Sequence, residues 1–268
     1  MTEKEYRQSE GISRSELWRL NPDNGGTPEK FKYYQENPEK PTPALVFGSV
    51  VHKLLLEPET MAEEYAVAPA VDKRTKDGRA EYAAFLETLG DRIEISPADL
   101  QRAIDMVEKA KATPFVAKLL EGYHEDAYRW TDEATGELCK IRADCVTYIG
   151  DVPVIVDYKT AGDASLEGFT RHALRFGYDF QAGMYSDGIE IVTGKVPRFL
   201  FIVQEKDPPY AVNVVEADEA FVLRGKDKFH ELLGIYHECK ETGNWYGYLG
   251  ADPVIHSLLL PAWAGGES

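Results

Sequence analysis

The sequence predicts an α/β fold, in which helices flank a mixed central β-sheet and further helices elaborate the N-terminal part. Residues 139–145 alternate apolar Cys, Ile and Ala side chains with charged Lys, Arg and Asp side chains, the period-2 pattern of a strand. Residues 152–156 are continuously apolar, which is typical of a central strand covered on both sides. Residues 97–120 repeat apolar positions at helical spacing. The chain therefore combines buried strands with amphipathic helices.

The N-terminal residues 1–120 are predicted to be mostly helical. Candidate N-cap residues and prolines set most of the expected boundaries. The expected elements are a short helix that begins near 13–16 and ends at Asn21–Pro22, a helix over 44–57 that follows Thr42–Pro43, a loop-rich exposed segment over 61–91, and a helix over 97–120 that Pro114 divides in two.

The C-terminal residues 121–268 are predicted to form the core around the sheet, and the 268 residues to form a single domain. The expected elements are strands over 125–130, 138–148 and 152–156, helices over 165–176 and 178–192, strands over 198–204 and 211–216, and a helix over 218–240. An aromatic tail is expected to pack on the core or on a neighbouring subunit. Its members are Trp245, Tyr246, Tyr248 and Trp263.

Residues 138–159 predict a hairpin that places two carboxylates side by side. If Gly150 and Asp151 form a two-residue turn, with glycine supplying the positive φ of a type II′ turn, Asp144 faces Asp157 on the next strand. Their Cβ atoms would then lie about 5 Å apart. Two carboxylates so close repel each other unless a cation lies between them, and hard oxygen ligands favour Mg²⁺ or Mn²⁺ over zinc.

Lys159 follows Asp157 by two residues and therefore shares its side of the strand. At the edge of the metal it would stabilise negative charge on a scissile phosphate or orient the attacking water. The three side chains together indicate a metal-dependent site that cleaves phosphodiesters. The alternative is a surface hairpin in which Asp144 pairs with Lys159 or Arg142 as an ordinary ion pair.

Composition restricts the class of protein. The chain has no apolar run near 18 residues and a polar N-terminus, so we expect a soluble, cytoplasmic protein without membrane contact. Three cysteines without a CxxC pair indicate neither a zinc site nor a disulfide scaffold. No GxSxG, glycine-rich phosphate loop or HExxH motif occurs. With a net charge of −16, a DNA-binding protein must concentrate its cations locally. The candidates are Arg74, Lys76, Arg142, Arg171 and Arg175.

Motifs spaced along most of the chain carry a resemblance to a known family. They are Gly48 to His52 followed by Leu54 to Pro58, Asp72 to Gly78, Glu125 before Trp130, Cys139 to Asp144, Val156 to Thr160, Tyr178 to Tyr185, and Leu260 to Trp263. In this order they resemble the PD-(D/E)XK nuclease superfamily, and within it the RecE-like exonuclease VIII group, which degrades DNA ends for phage and prophage recombination. The second acid of the superfamily's triplet is glutamate as often as aspartate. Here it is Asp157, whose shorter side chain still reaches a metal.

The resemblance implies a restriction-endonuclease-like core and a role for each matching residue. It implies that Asp144 and Asp157 are metal ligands, Lys159 the catalytic lysine, His52 a residue close to the metal, Glu125 an auxiliary acid, and Gln181 with Tyr185 a pair that organises the site or contacts DNA. On the residues alone, a histidine in so apolar a helix is more often a core residue than a ligand. The alternatives for Glu125 and Tyr185 are a strand-edge charge and a residue that packs on the sheet.

The resemblance also implies an activity and partners. The expected protein is a Mg²⁺-dependent, processive 5′-to-3′ exonuclease on linear double-stranded DNA, with Mn²⁺ able to substitute. It would leave a 3′ single strand for a RecT-like annealing protein and form a ring-shaped homo-oligomer in a bacterial host cell. Two alternatives are an endonuclease of the same superfamily and a non-catalytic module that binds DNA ends. The second requires loss of an acid or of the lysine, and all three are present.

Overall fold

The computed structural model describes residues 3–255 and 257–260, so Trp263 and most of the closing motif lie outside the described residues. The chain divides into two compact units, the first comprising Met1–Arg14 and Lys40–Phe229 and the second Ser15–Glu39 and His230–Ser268. All twelve candidate site residues named above belong to the first unit. That the whole chain forms one domain stays a prediction.

The described residues contain helices and strands throughout. The helices are α1 (Glu3–Gln8), α2 (Arg14–Leu17), α3 (Pro28–Glu36), α4 (Pro43–Leu56), α5 (Met61–Glu64), α6 (Lys76–Leu89), α7 (Pro97–Lys111), α8 (Pro114–Leu119), α9 (Leu166–Arg175), α10 (Tyr178–Thr193) and α11 (Glu219–Thr242). The strands are β1 (Ile12–Ser13), β2 (Tyr65–Val67), β3 (Ile93–Ile95), β4 (Tyr123–Thr131), β5 (Leu138–Ile149), β6 (Val152–Ala161), β7 (Arg198–Glu205) and β8 (Val212–Ala217). None of these helices, within the part of the chain that the structure describes, is long and apolar enough to cross a membrane.

The first unit is built around a six-stranded mixed sheet. The strand order is β1–β5–β6–β7–β8, and β4 also pairs with β5. Strands β6 and β7 run parallel, whereas β4 with β5, β5 with β6, and β7 with β8 run antiparallel. The short strand β1 pairs in parallel with the start of β5. The predicted mixed sheet is therefore confirmed.

Helices cover both faces of this sheet. Val154, Val156 and Tyr158 on β6 are buried in an apolar cluster with residues of α4, α7 and α8. On the other face, Phe169 of α9 packs edge-on against Phe201 of β7, with ring centroids 5.3 Å apart. Because side chains alternate along a strand, Ile155, Asp157 and Lys159 of β6 point to the opposite face, where α9 and α10 pack.

Close packing around α10 depends on small residues. A Cβ atom at Gly183 would lie 2.2 Å from the backbone of Gly225 on α11, and one at Gly188 would lie 2.4 Å from the ring of Trp130 on β4. Such distances are well below van der Waals contact, so only glycine lets α10 approach both neighbours. This packing holds α10, the helix of Gln181 and Tyr185, directly against the sheet.

Most helix boundaries follow the local signals in the sequence. The side chains of Thr42 and Ser96 accept hydrogen bonds from the amides three residues on and begin α4 and α7, and Pro114 separates α7 from α8 as predicted. The expectation of a loop-rich segment over 61–91 was wrong, because α6 fills much of it. Its N-cap, Thr75, accepts a hydrogen bond from the Gly78 amide, which is the same signal that begins the other helices.

The second unit has an aromatic centre of its own. Phe31 of α3 stacks on Trp245, with centroids 5.4 Å apart, and meets Tyr236 of α11 edge-on at 5.5 Å. The Lys30 ammonium lies 4.7 Å from the centre of the Tyr248 ring. The aromatic tail therefore packs, as far as the structure describes it, inside this unit.

Candidate active site

The hairpin of β5 and β6 has the register that the turn predicts. Its ladder runs from the turn to the pair Cys145–Val156, and Gly150 in the turn has a φ of +61°. In this register the next residues along the two strands are Asp144 and Asp157. The predicted register is therefore confirmed as far as Cys145–Val156. The two acids follow where the ladder ends, and the direct facing of their carboxylates stays a prediction.

Asp144 connects the sheet to α4. Its Oδ2 accepts a hydrogen bond of 2.8 Å from the backbone amide of Tyr158 and lies 3.3 Å from Nδ1 of His52. The His52 ring also meets the Tyr158 ring edge-on, with centroids 5.3 Å apart. A histidine of an otherwise apolar helix is thus turned toward the carboxylate of a strand, and it is a quarter exposed.

Glu125 reaches the same place from the other side of β5. The register of β4 against β5 places it opposite Asp144. Its φ is +53°, a left-handed conformation that is unusual for a residue other than glycine and costs about 1–3 kcal/mol. The register is the same on both sides of Glu125, so the strand keeps its pairing while this one residue is reoriented. Strain of this kind is concentrated at functional sites.

His52, Glu125 and Asp144 form a cluster that fits a divalent cation. One ligand atom from each lies within 4.8 Å of the others, and all three side chains are partly exposed. Two carboxylates with an imidazole suit Mg²⁺, Mn²⁺ and related ions, because carboxylate oxygen is the ligand that such ions prefer. Asp157 is not one of these three residues, and its expected role as a ligand stays a prediction.

The carboxylate of Asp157 is fixed by two side chains. Its Oδ1 accepts a hydrogen bond of 2.5 Å from Nε2 of Gln181, and its Oδ2 lies 2.6 Å from Nζ of Lys159. Asp157 is 1% exposed, whereas the Lys159 side chain is 16% exposed and lies 4.8 Å from the centre of the Tyr178 ring. Gln181 therefore joins the site as expected, as the residue that orients Asp157.

Charge couples this pair to the cluster. Burial raises the pKa of the Asp157 carboxyl, Lys159 opposes the shift, and Asp144 adds to it. Burial alone would lower the pKa of Lys159, but Asp157 and Asp144 outweigh it and raise that pKa. Lys159 is accordingly an ammonium ion at neutral pH, suited to stabilising negative charge and unsuited to removing a proton.

Tyr185 lies on α10 one turn after Gln181 and borders the same site. Burial raises the pKa of its hydroxyl well above the usual value, and Asp157 and Asp144 add to the shift. Its ring meets Phe199 of β7 edge-on at 6.4 Å. The packing of the Tyr185 ring on the sheet is therefore observed, and a role in organising the site or contacting DNA stays a prediction.

Arg14 is a residue of this site that the sequence did not predict. Its Nη2 donates hydrogen bonds of 2.7 and 2.8 Å to the carbonyl oxygens of Phe176 and Gly177, at the junction of α9 and α10. Burial lowers the pKa of Arg14, and Tyr185 is the first of the neighbouring groups that oppose the shift. No local pattern marks an arginine at the start of the chain for this place, because its partners lie more than 160 residues away.

Arg142 is buried in an ion-pair network, which contradicts the expectation that it contacts DNA. Its Nη1 lies 3.2 Å from Oε2 of Glu125, and its Nη2 lies 3.0 Å from Oε2 of Glu57. Glu57 also pairs with Lys53 at 2.8 Å, and Lys53 with Glu64 at 2.8 Å. The guanidinium is 7% exposed. Its donors are directed at Glu125 and Glu57, so Arg142 stabilises the strained Glu125 through a buried ion pair.

Replacing Glu57 with glutamine is expected to make protein stability less sensitive to acid. Burial raises the pKa of Glu57, but Lys53 and Arg142 lower it by more than burial raises it, so the net pKa is below the usual 4.5. This depressed pKa contributes stability above pH 4.5, and the contribution is lost as pH falls through the folded-state pKa. The variant should lose about 1–3 kcal/mol of unfolding free energy at pH 7, and its deficit should shrink below pH 4.5. Urea unfolding at a series of pH values measures this.

The matched control is Glu59→Gln, because Glu59 is an exposed glutamate two residues away. It should change the unfolding free energy by less than about 0.5 kcal/mol at every pH. A deficit of Glu57→Gln that stays constant down to acid pH would contradict the role assigned to the network.

The other candidate DNA-binding cations lie at the surface in two places. Arg74 is 92% exposed, pairs with Asp72 at 3.0 Å and precedes Lys76, the exposed first residue of α6. Arg171 pairs with Glu167 at 2.5 Å on α9, and Arg175 ends that helix. Their contact with DNA stays a prediction.

Comparison with known proteins gives a family and a fold. Residues 27–252 match the protein family described as a PDDEXK-like domain of unknown function, DUF3799. No curated protein matches the chain. Among solved structures, a protein from Eubacterium rectale described as "Putative exonuclease" is similar, with a TM-score of 0.65 and 17% identity over 97% of this chain and 96% of that chain. At this identity the likeness shows the fold alone.

A second solved structure, of the protein SSO0001, is similar at a TM-score of 0.39. It is 13% identical over 84% of this chain and 77% of that chain. This similarity is too low to support a conclusion about fold or function.

Proposed function

The chain belongs to the PDDEXK-like family DUF3799, and from this premise we propose that it is a metal-dependent deoxyribonuclease that hydrolyses phosphodiester bonds. One observation carries the proposal. The ion pair of Asp157 and Lys159 lies beside the His52–Glu125–Asp144 cluster. The two are linked through Tyr158, which lies between Asp157 and Lys159 in the sequence and whose backbone amide donates a hydrogen bond to Asp144. The proposed cation site and the ammonium group of Lys159 thus lie next to each other, where the β5–β6 ladder ends.

The cluster would hold the divalent cation, which we propose to be Mg²⁺ with Mn²⁺ as a substitute. Such a cation, when bound, polarises a phosphoryl oxygen and lowers the pKa of a bound water. His52 offers a nitrogen ligand and the two acids offer oxygen ligands. The Tyr158 amide fixes one oxygen of Asp144, so this carboxylate presents a defined face before any substrate binds.

Lys159 would act on the scissile phosphate. Its ammonium group is held by Asp157, whose own orientation is fixed by Gln181. A cation placed in advance stabilises the negative charge that develops on phosphate oxygens without a cost of reorganisation. Asp157 keeps Lys159 protonated, and its anionic oxygens stand next to the site where the cation would bind.

The finer function rests on the motif resemblance. We propose a processive 5′-to-3′ exonuclease that acts on linear double-stranded DNA, leaves 3′ single strands for recombination, and works in the cytoplasm of a bacterial cell with a RecT-like annealing protein. We also propose a ring-shaped homo-oligomer. The description of the similar protein from Eubacterium rectale, "Putative exonuclease", agrees with this proposal.

Digestion of matched linear and covalently closed double-stranded DNA tests the proposal. With Mg²⁺ the wild type should degrade the linear form and leave closed circles intact, and a chelator should stop degradation. Labels on either the 5′ or the 3′ strand of one end should show loss of the 5′-terminated strand first. Cleavage of closed circles would make the protein an endonuclease of this fold. Binding to ends without cleavage, in Mg²⁺ and in Mn²⁺, would make it a non-catalytic module.

A further inference from the structure

An exposed aromatic ring ends α9. Phe176 is 45% exposed, and its centroid lies 4.5 Å from the ring of the half-buried His172 one turn earlier. The guanidinium of Arg175 lies 5.5 Å from the centre of the Phe176 ring. One exposed phenylalanine is ordinary on a protein surface. Its position next to a second ring and a cation is what distinguishes this one.

The rings continue from Phe176 into the candidate active site. Tyr178 lies 6.3 Å from Phe176 and 5.7 Å from His172, and its hydroxyl is 3.4 Å from Nε2 of His172. The Nζ of Lys159 lies 4.8 Å from the centre of the Tyr178 ring. A path of touching side chains therefore runs from the exposed ring to the lysine proposed to act on the phosphate.

The backbone beneath these rings is fixed. Arg14 donates hydrogen bonds to the carbonyl oxygens of Phe176 and Gly177, and Gly177 has a φ of +65° that allows the sharp junction between the helices. A ring on a fixed backbone loses less conformational entropy when it binds a ligand than a ring on a mobile loop does.

Two cations lie near these rings, Arg175 at Phe176 and Lys159 at Tyr178, in a protein whose net charge is −16. Burial lowers the pKa of His172, and the charges of Lys206, Arg175 and Lys159 lower it further. Three cations thus interact electrostatically with the imidazole of His172. Acidic residues also lie near α9. Glu167 pairs with Arg171 on the same helix, the Asp163 carboxylate lies against Gly168 near the start of the helix, and Glu205 accepts a hydrogen bond from the Ala164 amide.

From this juxtaposition we infer that Phe176, His172 and Tyr178 form a stacking platform for a nucleobase of the strand that enters the site. The platform is defined by these three rings. Aromatic rings flanked by cations are how proteins hold single-stranded nucleic acid, since each base presents a π-face and each nucleotide a phosphate. An apolar peptide would match the rings but not the surrounding cations. The inference deepens the proposed function and rests on it.

The platform implies that the nuclease separates the terminal bases of a duplex before it cuts. A base inside the helix has no free face, so stacking on Phe176 requires the base to leave its partner. The substrate recognised would be an unpaired nucleotide next to the scissile phosphate. The enzyme should accordingly prefer frayed or mismatched ends over fully paired ends.

The test measures binding of two DNA probes to two proteins. The probes are duplexes with a short single-stranded end, one carrying normal bases there and the other abasic residues with the same phosphates. Fluorescence anisotropy with Ca²⁺ in place of Mg²⁺ gives the dissociation constants for wild type and for Phe176→Ala. We expect the abasic end to weaken wild-type binding by about 10-fold, and to have little effect on the variant. Phe176→Trp should restore the preference for bases.

Phe115→Ala is the matched control, because Phe115 is 59% exposed on α8 and should leave the base preference unchanged. The platform would be refuted if the abasic end weakened the binding of wild type and of Phe176→Ala by the same factor. Wild-type protein that binds both probes equally would refute it too. Cleavage by the same wild-type preparation reports the proposed function separately, so an active enzyme without base preference would refute the platform alone.

Discussion

Replacement of Lys159 with alanine is expected to reduce the rate of DNA cleavage by about 10²- to 10³-fold, the usual loss when one preorganised group that stabilises a transition state is removed. Lys159 is held 2.6 Å from Asp157, and the two nearby carboxylates keep it protonated. Binding of DNA should change much less, because the ammonium group acts on charge that develops during the reaction. Single-turnover cleavage of a linear duplex with Mg²⁺ measures the rate.

Stability must be measured beside activity for this variant. Removing Lys159 leaves the carboxylate of Asp157, which is 1% exposed, without its ammonium partner, and breaking a buried pair costs about 3–5 kcal/mol. Lys159→Met keeps most of the side-chain volume and serves as a second variant. Lys195→Ala is the matched control, because Lys195 is exposed beyond the end of α10. A folded Lys159 variant that cleaves DNA at the wild-type rate would refute the role proposed for this residue.

Replacement of Asp144 with asparagine is expected to weaken binding of a divalent cation by more than about 100-fold, since even partners outside the ligand shell are worth about 10- to 100-fold. The amide oxygen still accepts a hydrogen bond from Tyr158, so local folding is kept while the charged ligand is lost. Activity should fall with the affinity. Isothermal titration calorimetry with Mn²⁺ measures the change directly.

Asp151→Asn is the control for this experiment, because Asp151 is an exposed acid in the turn of the same hairpin. It removes the same charge and should leave the Mn²⁺ affinity unchanged. If Asp144→Asn binds Mn²⁺ as tightly as the wild type does, the cation site must lie elsewhere.

The hairpin at the centre of the site was predictable because its signals are local. An apolar run, a glycine at the turn and alternating side chains define the register of β5 and β6, and the structure has that register. The triplet from Asp157 to Lys159 and the position of Asp144 follow from it. The helices were predictable for the same reason, since N-caps such as Thr42 act within one turn.

The remainder of the site depends on contacts that no local pattern encodes. The left-handed conformation of Glu125 turns its carboxylate toward the cluster, although nothing in the surrounding residues requires a positive φ. Arg142 lies on the polar side of β5 in the sequence pattern, and its burial follows from Glu57 beyond the end of α4. Arg14 reaches the site only through the tertiary fold. Sequence thus indicated the hairpin that carries Asp144, Asp157 and Lys159, while the fold supplied its supporting charges.

The acidic composition of the protein is compatible with a nuclease because of where the charges lie. Many acids are paired or stand near the candidate cation site, and cations gather around the end of α9. On the proposed function, we expect long-range repulsion to keep DNA from most of the surface and the cations beside the site to attract the strand. Because only a few cations would contact phosphates, we expect the affinity for DNA to fall only shallowly as the salt concentration rises.

The central claim is that His52, Glu125 and Asp144 hold a divalent cation beside Asp157 and Lys159. Anomalous X-ray diffraction from crystals of the wild-type protein grown with Mn²⁺ tests it most directly, because Mn²⁺ gives a signal that water does not. We expect an anomalous peak within ligand distance, about 2.0–2.6 Å, of the Asp144 carboxylate and of Glu125 or His52. A fully occupied Mn²⁺ ion elsewhere, with no peak at Asp144, would contradict it.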